Sequence, residues 1–310
     1  MEPNAETDVT IIIPTRNEEN NIRTCLDAVF NQQTHYLFEV IVIDSGSTDR
    51  TVSIVNRFPK VKLLEIPPET FGHGKTRNLG AETAKGNILV FLNADALPVD
   101  SLWLDTLLEP FSCEKDKKEK IAGVFSRHIP KPGCHLYMAR DILSSMPDKP
   151  GIRNHAGPMD LMIFSTVSCA IRRGVWQQFP FDPHIAIAED QHWGNRILEH
   201  GFSLSYQPSS RVYHSHNYNP RQLYEVKYKM SAAAPRFKNR FTATTMGFIL
   251  IVGGMLLKIA ADTWYILFLS PSSPGKRLSL SQKREEIKIA ASARIVSFWG
   301  RFKGWRENLK

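Results

Sequence analysis

The chain has 310 residues, 42% hydrophobic and 23% charged, with a formal net charge of +8. This is ordinary globular composition, long enough for one large α/β domain with appendages or for two domains. Four scattered cysteines with no C-x-x-C pair support neither a disulfide framework nor a zinc site and fit reduced thiols, and the acidic N-terminal octapeptide has no apolar run of the kind a secretory signal carries. The charge is uneven. From residue 271 onward ten Lys/Arg face three glutamates, so +7 of the +8 lies in the tail and the first 270 residues are nearly neutral.

The first half predicts alternating strands and helices: strand 9–14, helix 20–31, strand 39–44, helix 48–57, strand 61–66, helix 75–85 and strand 88–93. Continuous apolar strands between amphipathic helices imply parallel strands covered on both faces. Such a doubly wound sheet binds ligands at the carboxyl ends of its strands, where Thr15, Asp44 and Asp95 fall. A charged loop at 112–120 precedes a strand near 122–127, a Pro/Gly-rich stretch at 130–158 with no readable element, and an apolar run at 161–171. A helix from about 189 to 200 and strands near 204–207 and 212–214 complete this part. Residues 246–257 are all apolar or glycine, and Lys258 and Asp262 interrupt the run before 264–269 resumes it.

Five segments carry candidate chemistry. Ile-Ile-Ile-Pro-Thr-Arg-Asn-Glu-Glu-Asn (11–20) turns from strand to polar loop, which many α/β proteins do. Val-Ile-Val-Ile-Asp-Ser-Gly-Ser-Thr-Asp (40–49) delivers Asp44 to a strand end; helix capping accounts for Ser47 and Asp49 but not for Asp44. Phe-Gly-His-Gly-Lys-Thr-Arg-Asn-Leu-Gly (71–80) sets His73, Lys75 and Arg77 beside two glycines that let backbone approach a ligand, at a helix start suited to a diphosphate. Val-Phe-Leu-Asn-Ala-Asp-Ala-Leu-Pro (90–98) ends an apolar strand at Asp95, where a carboxylate can hold a divalent cation. Ile-Ala-Glu-Asp-Gln-His-Trp-Gly (187–194) opens a helix with Glu189 and Asp190, a position that favours acids with or without function.

In this combination and order the segments resemble glycosyltransferase family 2, the nucleotide-diphospho-sugar transferases of the A-type fold, over residues 8–240. Within that family they are most similar to bacterial rhamnosyltransferases of polysaccharide assembly. The resemblance implies a Rossmann-like, doubly wound, mostly parallel sheet. It implies a catalytic domain at 1–240, its nucleotide-sugar half at about 8–110 and its acceptor half at about 120–240. A helical, membrane-associating extension would follow at 241–310. It also implies a nucleoside-diphosphate sugar donor, a glycan or lipid-linked saccharide acceptor, and a divalent cation, Mg or Mn. Thr15, Glu18, Asp44, Ser45, His73, Lys75, Arg77 and Asn93 would line the nucleotide and substrate site. Asp95 would hold the metal, with His214 where some relatives place a further ligand; His216 is the alternative. Asp190 would be the general base, with Glu189 beside it as the second candidate.

Two positions depart from the family pattern. Asn93 stands where the Asp-x-Asp motif has its first acid, and Ser45 where many relatives carry a second Asp. The chemistry itself is coherent. A sugar hydroxyl is a poor nucleophile, so a carboxylate takes its proton as the new bond forms, and the leaving diphosphate needs its charge neutralised. One base and direct displacement invert the anomeric centre. A nucleotidyltransferase of similar sheet architecture would want a glycine-rich loop, and residues 11–20 contain no glycine. The alternative of another class is a non-catalytic sugar-nucleotide-binding or scaffold protein.

As a helix, 246–257 measures only about 18 Å, short of the roughly 30 Å hydrocarbon core. Extending it to 269 buries Lys258 and Asp262. In the tail, Ile287, Ala291, Ile295, Phe298 and Phe302 fall on one helical face, with Trp299 and Trp305 suited to a headgroup boundary. These features predict peripheral attachment to an anionic membrane surface on the cytoplasmic side, where sugar nucleotides reside. No nucleic-acid-reading module accompanies the charge, so nucleic acid is not an expected partner.

Overall fold

The computed structural model describes residues 7–112, 120–155, 164–232, 245–269 and 278–307. The chain divides into two compact units, residues 1–129 with 145–214, and residues 130–144 with 215–310. The second unit therefore takes in 130–144 and 215–232 as well as the extension expected from 241.

The first unit is built on one mixed sheet. Its strands are β1 (Val9–Thr15), β2 (Phe38–Asp44), β3 (Val61–Glu65), β4 (Ile88–Leu92), β5 (Leu97–Pro98), β6 (Ile121–Ile129), β7 (Gly151–Arg153), β8 (Ser168–Arg172) and β9 (Ser203–Tyr213). They lie in the order β3-β2-β1-β4-β8-β6-β9-β5, with β7 also on β9. The β3-β2-β1-β4 half is wholly parallel, whereas β8 runs antiparallel to both β4 and β6. Helices α1 (Ile22–Phe30), α2 (Thr51–Val55), α3 (His73–Thr83), α4 (Trp103–Ser112), α6 (Arg173–Gln178) and α7 (Glu189–Glu199) connect the strands.

The unbroken apolar runs follow from this layering. In β1, Ile11 and Ile13 pack on one face with Leu26, Val29, Trp103 and Leu107, while Ile12 packs on the other with Ile41, Ile43, Ala81 and Trp193. Successive side chains point to opposite faces, so a strand covered on both sides is apolar at every position. Each such isoleucine contributes about 1.5–3 kcal/mol by leaving water. Helix α3 lies close on this layer through Gly80, where an added Cβ would stand 2.5 Å from Ile12 Cγ2.

Two expected strands, near 204–207 and 212–214, are one. Strand β9 pairs with β6 throughout, and the register jumps from Ser126–Gln207 to Arg127–Arg211. The extra residues in that bulge break the alternation that marks a strand in sequence. Helix α4, with Trp103, Leu104, Leu107 and Leu108 buried, adds an apolar face to the elements expected above.

The second unit is helical: α5 (Leu136–Ser145), α8 (Pro220–Ala232), α9 (Thr245–Trp264), a π-helical turn (Tyr265–Leu269) and α10 (Leu280–Glu307). Helix α10 packs on α8 through Gly300 and Gly304, where a Cβ would meet the Tyr224 and Tyr228 carbonyl oxygens at 2.7 and 2.4 Å. Glycine at both positions lets the backbones approach. Elsewhere on α10 Phe298 is buried while Ile295 and Trp299 are exposed, so the face expected to meet lipid is divided between the protein interior and solvent. Helix α9 also runs unbroken through Lys258 and Asp262, because Asp262 is paired with Arg140 and Arg294.

Candidate active site

The carboxyl edge of the parallel half carries the first group of residues. Thr15 and Asp44 sit opposite one another in the β1–β2 register. The Asp44 carboxylate is buried and accepts from the Gly46 and Ser47 amides at 3.0 and 2.8 Å and from the Ser47 hydroxyl. It thus shapes the loop in which Gly46 takes φ +77°, a left-handed conformation natural to glycine. The Thr15 and Ser45 hydroxyls are buried nearby without a hydrogen-bond partner among the described residues. Asn17, also left-handed at φ 54°, donates its backbone amide to the Ser47 hydroxyl and accepts from the Thr48 amide at its side-chain oxygen. The Glu18 carboxylate accepts from Asn21 at 2.6 Å. Together these bonds hold the β1 and β2 loops against each other.

The glycine-rich segment divides its three basic residues. His73 and Lys75 remain exposed at the start of α3. The His73 pKa is lowered by the surrounding protein and then by Arg77, with the nearby Asp190 charge pulling the other way. Arg77 turns inward. Its guanidinium donates to Glu189 at 2.6 Å, to the His73 carbonyl at 3.2 Å and to the Asn93 side-chain oxygen at 3.4 Å, with Arg77 and Glu189 both buried. Arg77 was expected to line the nucleotide and Glu189 to stand by as a base; the structure pairs them with each other. Burial pushes the Glu189 carboxyl up, against the pull of Arg77. Gly74 likewise serves packing, since a Cβ there would lie 2.8 Å from the Asp182 carbonyl oxygen.

Asp190 is placed by unusual backbone. Ala188, just before α7, has φ 64° and ψ 33°, a left-handed conformation that costs a residue with a side chain about 1–2 kcal/mol. Strain of this kind gathers at functional sites. It turns the chain so that Glu189 enters the interior while the half-buried Asp190 stays at the surface of the site. One Asp190 oxygen accepts from the Thr166 amide at 3.2 Å and hydroxyl at 3.4 Å, and the other from the Gln191 amide at 2.8 Å. The carboxylate is fixed in place yet keeps lone pairs for a substrate proton. Thr166 was not foreseen, and nothing in its sequence surroundings marks it.

Asp95 follows β4 and meets His214, which follows β9, with Nε2 3.5 Å from the Asp95 carboxylate. An imidazole beside a carboxylate is a donor set suited to a divalent metal, and both ends of the pair lie at strand termini. His128 on β6 adds a feature the sequence did not suggest. Its ring stands 5.5 Å from that of His214, its Nε2 is buried without a partner among the described residues, and burial pushes its pKa down to about 3. It is a neutral ring that backs His214. Hydrogen bonds link Glu189, Arg77 and Asn93; Asp190 follows Glu189 in the chain, and Asp95 lies two residues beyond Asn93. Asn93 replaces an acid here, and its amide oxygen accepts from the arginine.

The chain is similar to known proteins over most of its length. The profile described as "Glycosyl transferase family 2" matches residues 10–175. The O-antigen chain rhamnosyltransferase RfbN of Salmonella typhimurium is 32% identical over 230 residues, 70% of this chain and 69% of that protein. Glycosyltransferase AglE of Haloferax volcanii is 30% identical over 204 residues, 64% of each chain. The solved structure of mannosyltransferase PcManGT from Pyrobaculum calidifontis, in complex with GDP-Man and Mn2+, shares the fold at a TM-score of 0.56 and 21% identity, covering 93% of this chain and 85% of its own. A family profile spanning more than half of the chain, together with relatives of this identity and coverage, makes this protein a member of glycosyltransferase family 2 with the A-type fold.

Proposed function

We propose that the enzyme transfers a sugar, rhamnose being the first candidate, from a nucleoside diphosphate to a hydroxyl of a glycan or lipid-linked saccharide with inversion at the anomeric carbon. The observation that carries this reading is Asp190, a carboxylate held by Thr166 and its own helix, set out by the left-handed Ala188, in the same unit as the Asp95–His214 pair. Asp190 takes the proton of the acceptor hydroxyl as its oxygen bonds to the anomeric carbon, and the bond from that carbon to the diphosphate breaks. A divalent cation, Mg or Mn, at Asp95 and His214 would neutralise charge on the departing diphosphate. His73 and Lys75, exposed at the start of α3, supply donors to the same phosphates. The likeness to rhamnosyltransferases of O-antigen chains supports the choice of sugar and of a saccharide acceptor.

Attachment to the cytoplasmic face of an anionic membrane belongs to this reading. It is supported by the basic tail and by one helix, among the described residues, long and apolar enough to cross a membrane by length and composition.

The test is release of nucleoside diphosphate from a panel of nucleoside-diphosphate sugars offered with a saccharide acceptor. One donor should be favoured, and its turnover should depend on acceptor. Binding of a donor without release under any acceptor would contradict the proposal. With that donor, Asp95→Ala should weaken binding of the nucleoside diphosphate in the presence of Mn2+, read by calorimetry, and should abolish the gain that Mn2+ gives to wild type. Full wild-type activity in excess chelator would remove the metal from the account and leave neutralisation to His73 and Lys75.

A further inference from the structure

Among the described residues, the second unit leaves one helical face uncovered. Along α9 and the π-helical turn, Ile249, Leu256, Leu257, Trp264, Phe268 and Leu269 are all exposed. Their spacing places them along one side of the helix, and the Trp264 and Phe268 rings pack against each other at 4.4 Å. A contiguous stripe of large apolar side chains marks an interaction surface. Segment Ile251–Leu269 has the length and hydropathy of a membrane crossing, so length alone does not decide how it meets lipid.

The opposite side of the helix decides it. Asp262 is completely buried and accepts from Arg294 at 2.7 and 3.0 Å and from Arg140 at 3.1 Å. Arg294 reaches on to both oxygens of Asp141, at 2.6 and 2.9 Å. These partners stand on α5 and α10. A crossing orientation would carry Arg140, Asp141 and Arg294, and with them two charged helices, to the depth of the hydrocarbon, where ionised groups are strongly disfavoured. Breaking the cluster to release the helix would strand Asp262 or Arg294 unpaired, which is worse. With the helix axis parallel to the bilayer, all four charges stay on the protein side while the stripe faces lipid. Lys258, exposed beside Leu257, can then extend its ammonium to lipid phosphates.

We propose that α9 and the following turn lie in the plane of an anionic membrane, with the stripe sunk into a single leaflet and the Arg140–Asp262–Arg294–Asp141 cluster clamping the inner face of the helix to its unit. This rests on the membrane attachment proposed above and adds how the helix is held. The interruption of the apolar run by Asp262 is then the means of keeping the helix flat.

The test uses the full chain with Cys25, Cys113, Cys134 and Cys169 changed to alanine and a nitroxide placed singly at position 249 or 268, bound to vesicles of phosphatidylcholine with and without phosphatidylglycerol. The two positions are about 28 Å apart along a helix. The proposal expects flotation favoured by phosphatidylglycerol, both labels at one shallow depth, and at least about a hundredfold weaker vesicle binding for the double variant Leu256→Asp/Leu257→Asp. Flotation with the labels at depths differing by most of the hydrocarbon thickness would overturn the in-plane arrangement and leave membrane attachment standing. No flotation with either vesicle would remove the attachment itself. Concentration-dependent dimerisation lost in the double variant, without vesicle binding, would assign the stripe to a second copy of the chain and overturn the proposal.

Discussion

Asp190→Asn should lower turnover about 10²–10⁴-fold while leaving affinity for the donor nucleotide nearly unchanged. The substitution keeps the size of the side chain, and one amide oxygen can still accept from Thr166, so the start of α7 keeps its place. What is lost is the ability to take a proton from the acceptor hydroxyl. Measuring turnover beside nucleotide affinity separates this outcome from a general disturbance, which would weaken both. Near-normal turnover in the variant would remove Asp190 from the role. Glu189 is a poor replacement, because its carboxylate is buried against Arg77.

The other large effect is expected at that buried pair. Arg77→Met should destabilise the enzyme by about 3–5 kcal/mol, since it leaves Glu189 buried without its counter-charge. The loss should depend on pH in a definite direction. Burial already holds the Glu189 pKa above its ordinary value, and removing Arg77 raises it further. A group whose folded pKa is raised binds a proton in the folded state that the unfolded chain releases. Its stabilising contribution is therefore complete below the unfolded pKa and disappears as pH rises through the folded one. Urea denaturation should show the variant losing more stability at pH 8 than at pH 5. An equal and small loss at both would mean that Arg77 is not what compensates Glu189. Because Arg77 also donates to Asn93, nucleotide affinity should fall in the variant even under conditions where it remains folded.

The parallel half of the fold was legible because physics writes it into local pattern. Strands buried on both faces must be apolar at every position, and loops at their carboxyl ends must carry polar residues, so β1 to β4 and their helices emerge within a few residues of their observed bounds. Several expected segments fall partly outside the described residues: the loop at 112–120, the Pro/Gly-rich stretch at 130–158, the run at 161–171 and the extension at 241–310. Less was legible where partners are distant in sequence. Arg77 and Glu189 are separated by 112 positions, and no local spacing distinguishes an arginine that meets phosphate from one that meets a buried glutamate. Thr166 at Asp190 and His128 behind His214 are hidden for the same reason. The apolar segment after 245 seemed broken at Asp262 because an isolated acid is incompatible with a buried helix face, and only its pairing with Arg140 and Arg294 makes the helix continuous. The tail misled differently. Its Phe298 face has the periodicity of a lipid-facing helix, but Phe298 is buried within the protein while Ile295 is exposed, and periodicity alone does not say what covers an apolar face.

The reaction proposed here depends on a single carboxylate and a direct displacement, and the stereochemistry of the product reports on both. With the favoured donor and a saccharide acceptor, the anomeric configuration of the new linkage can be read by NMR from its one-bond carbon–proton coupling and compared with that of the donor. The account predicts inversion in the wild-type product, and inversion in whatever residual product Asp190→Asn forms. A product that retains the donor configuration would require a second nucleophile at the anomeric carbon and would contradict the account.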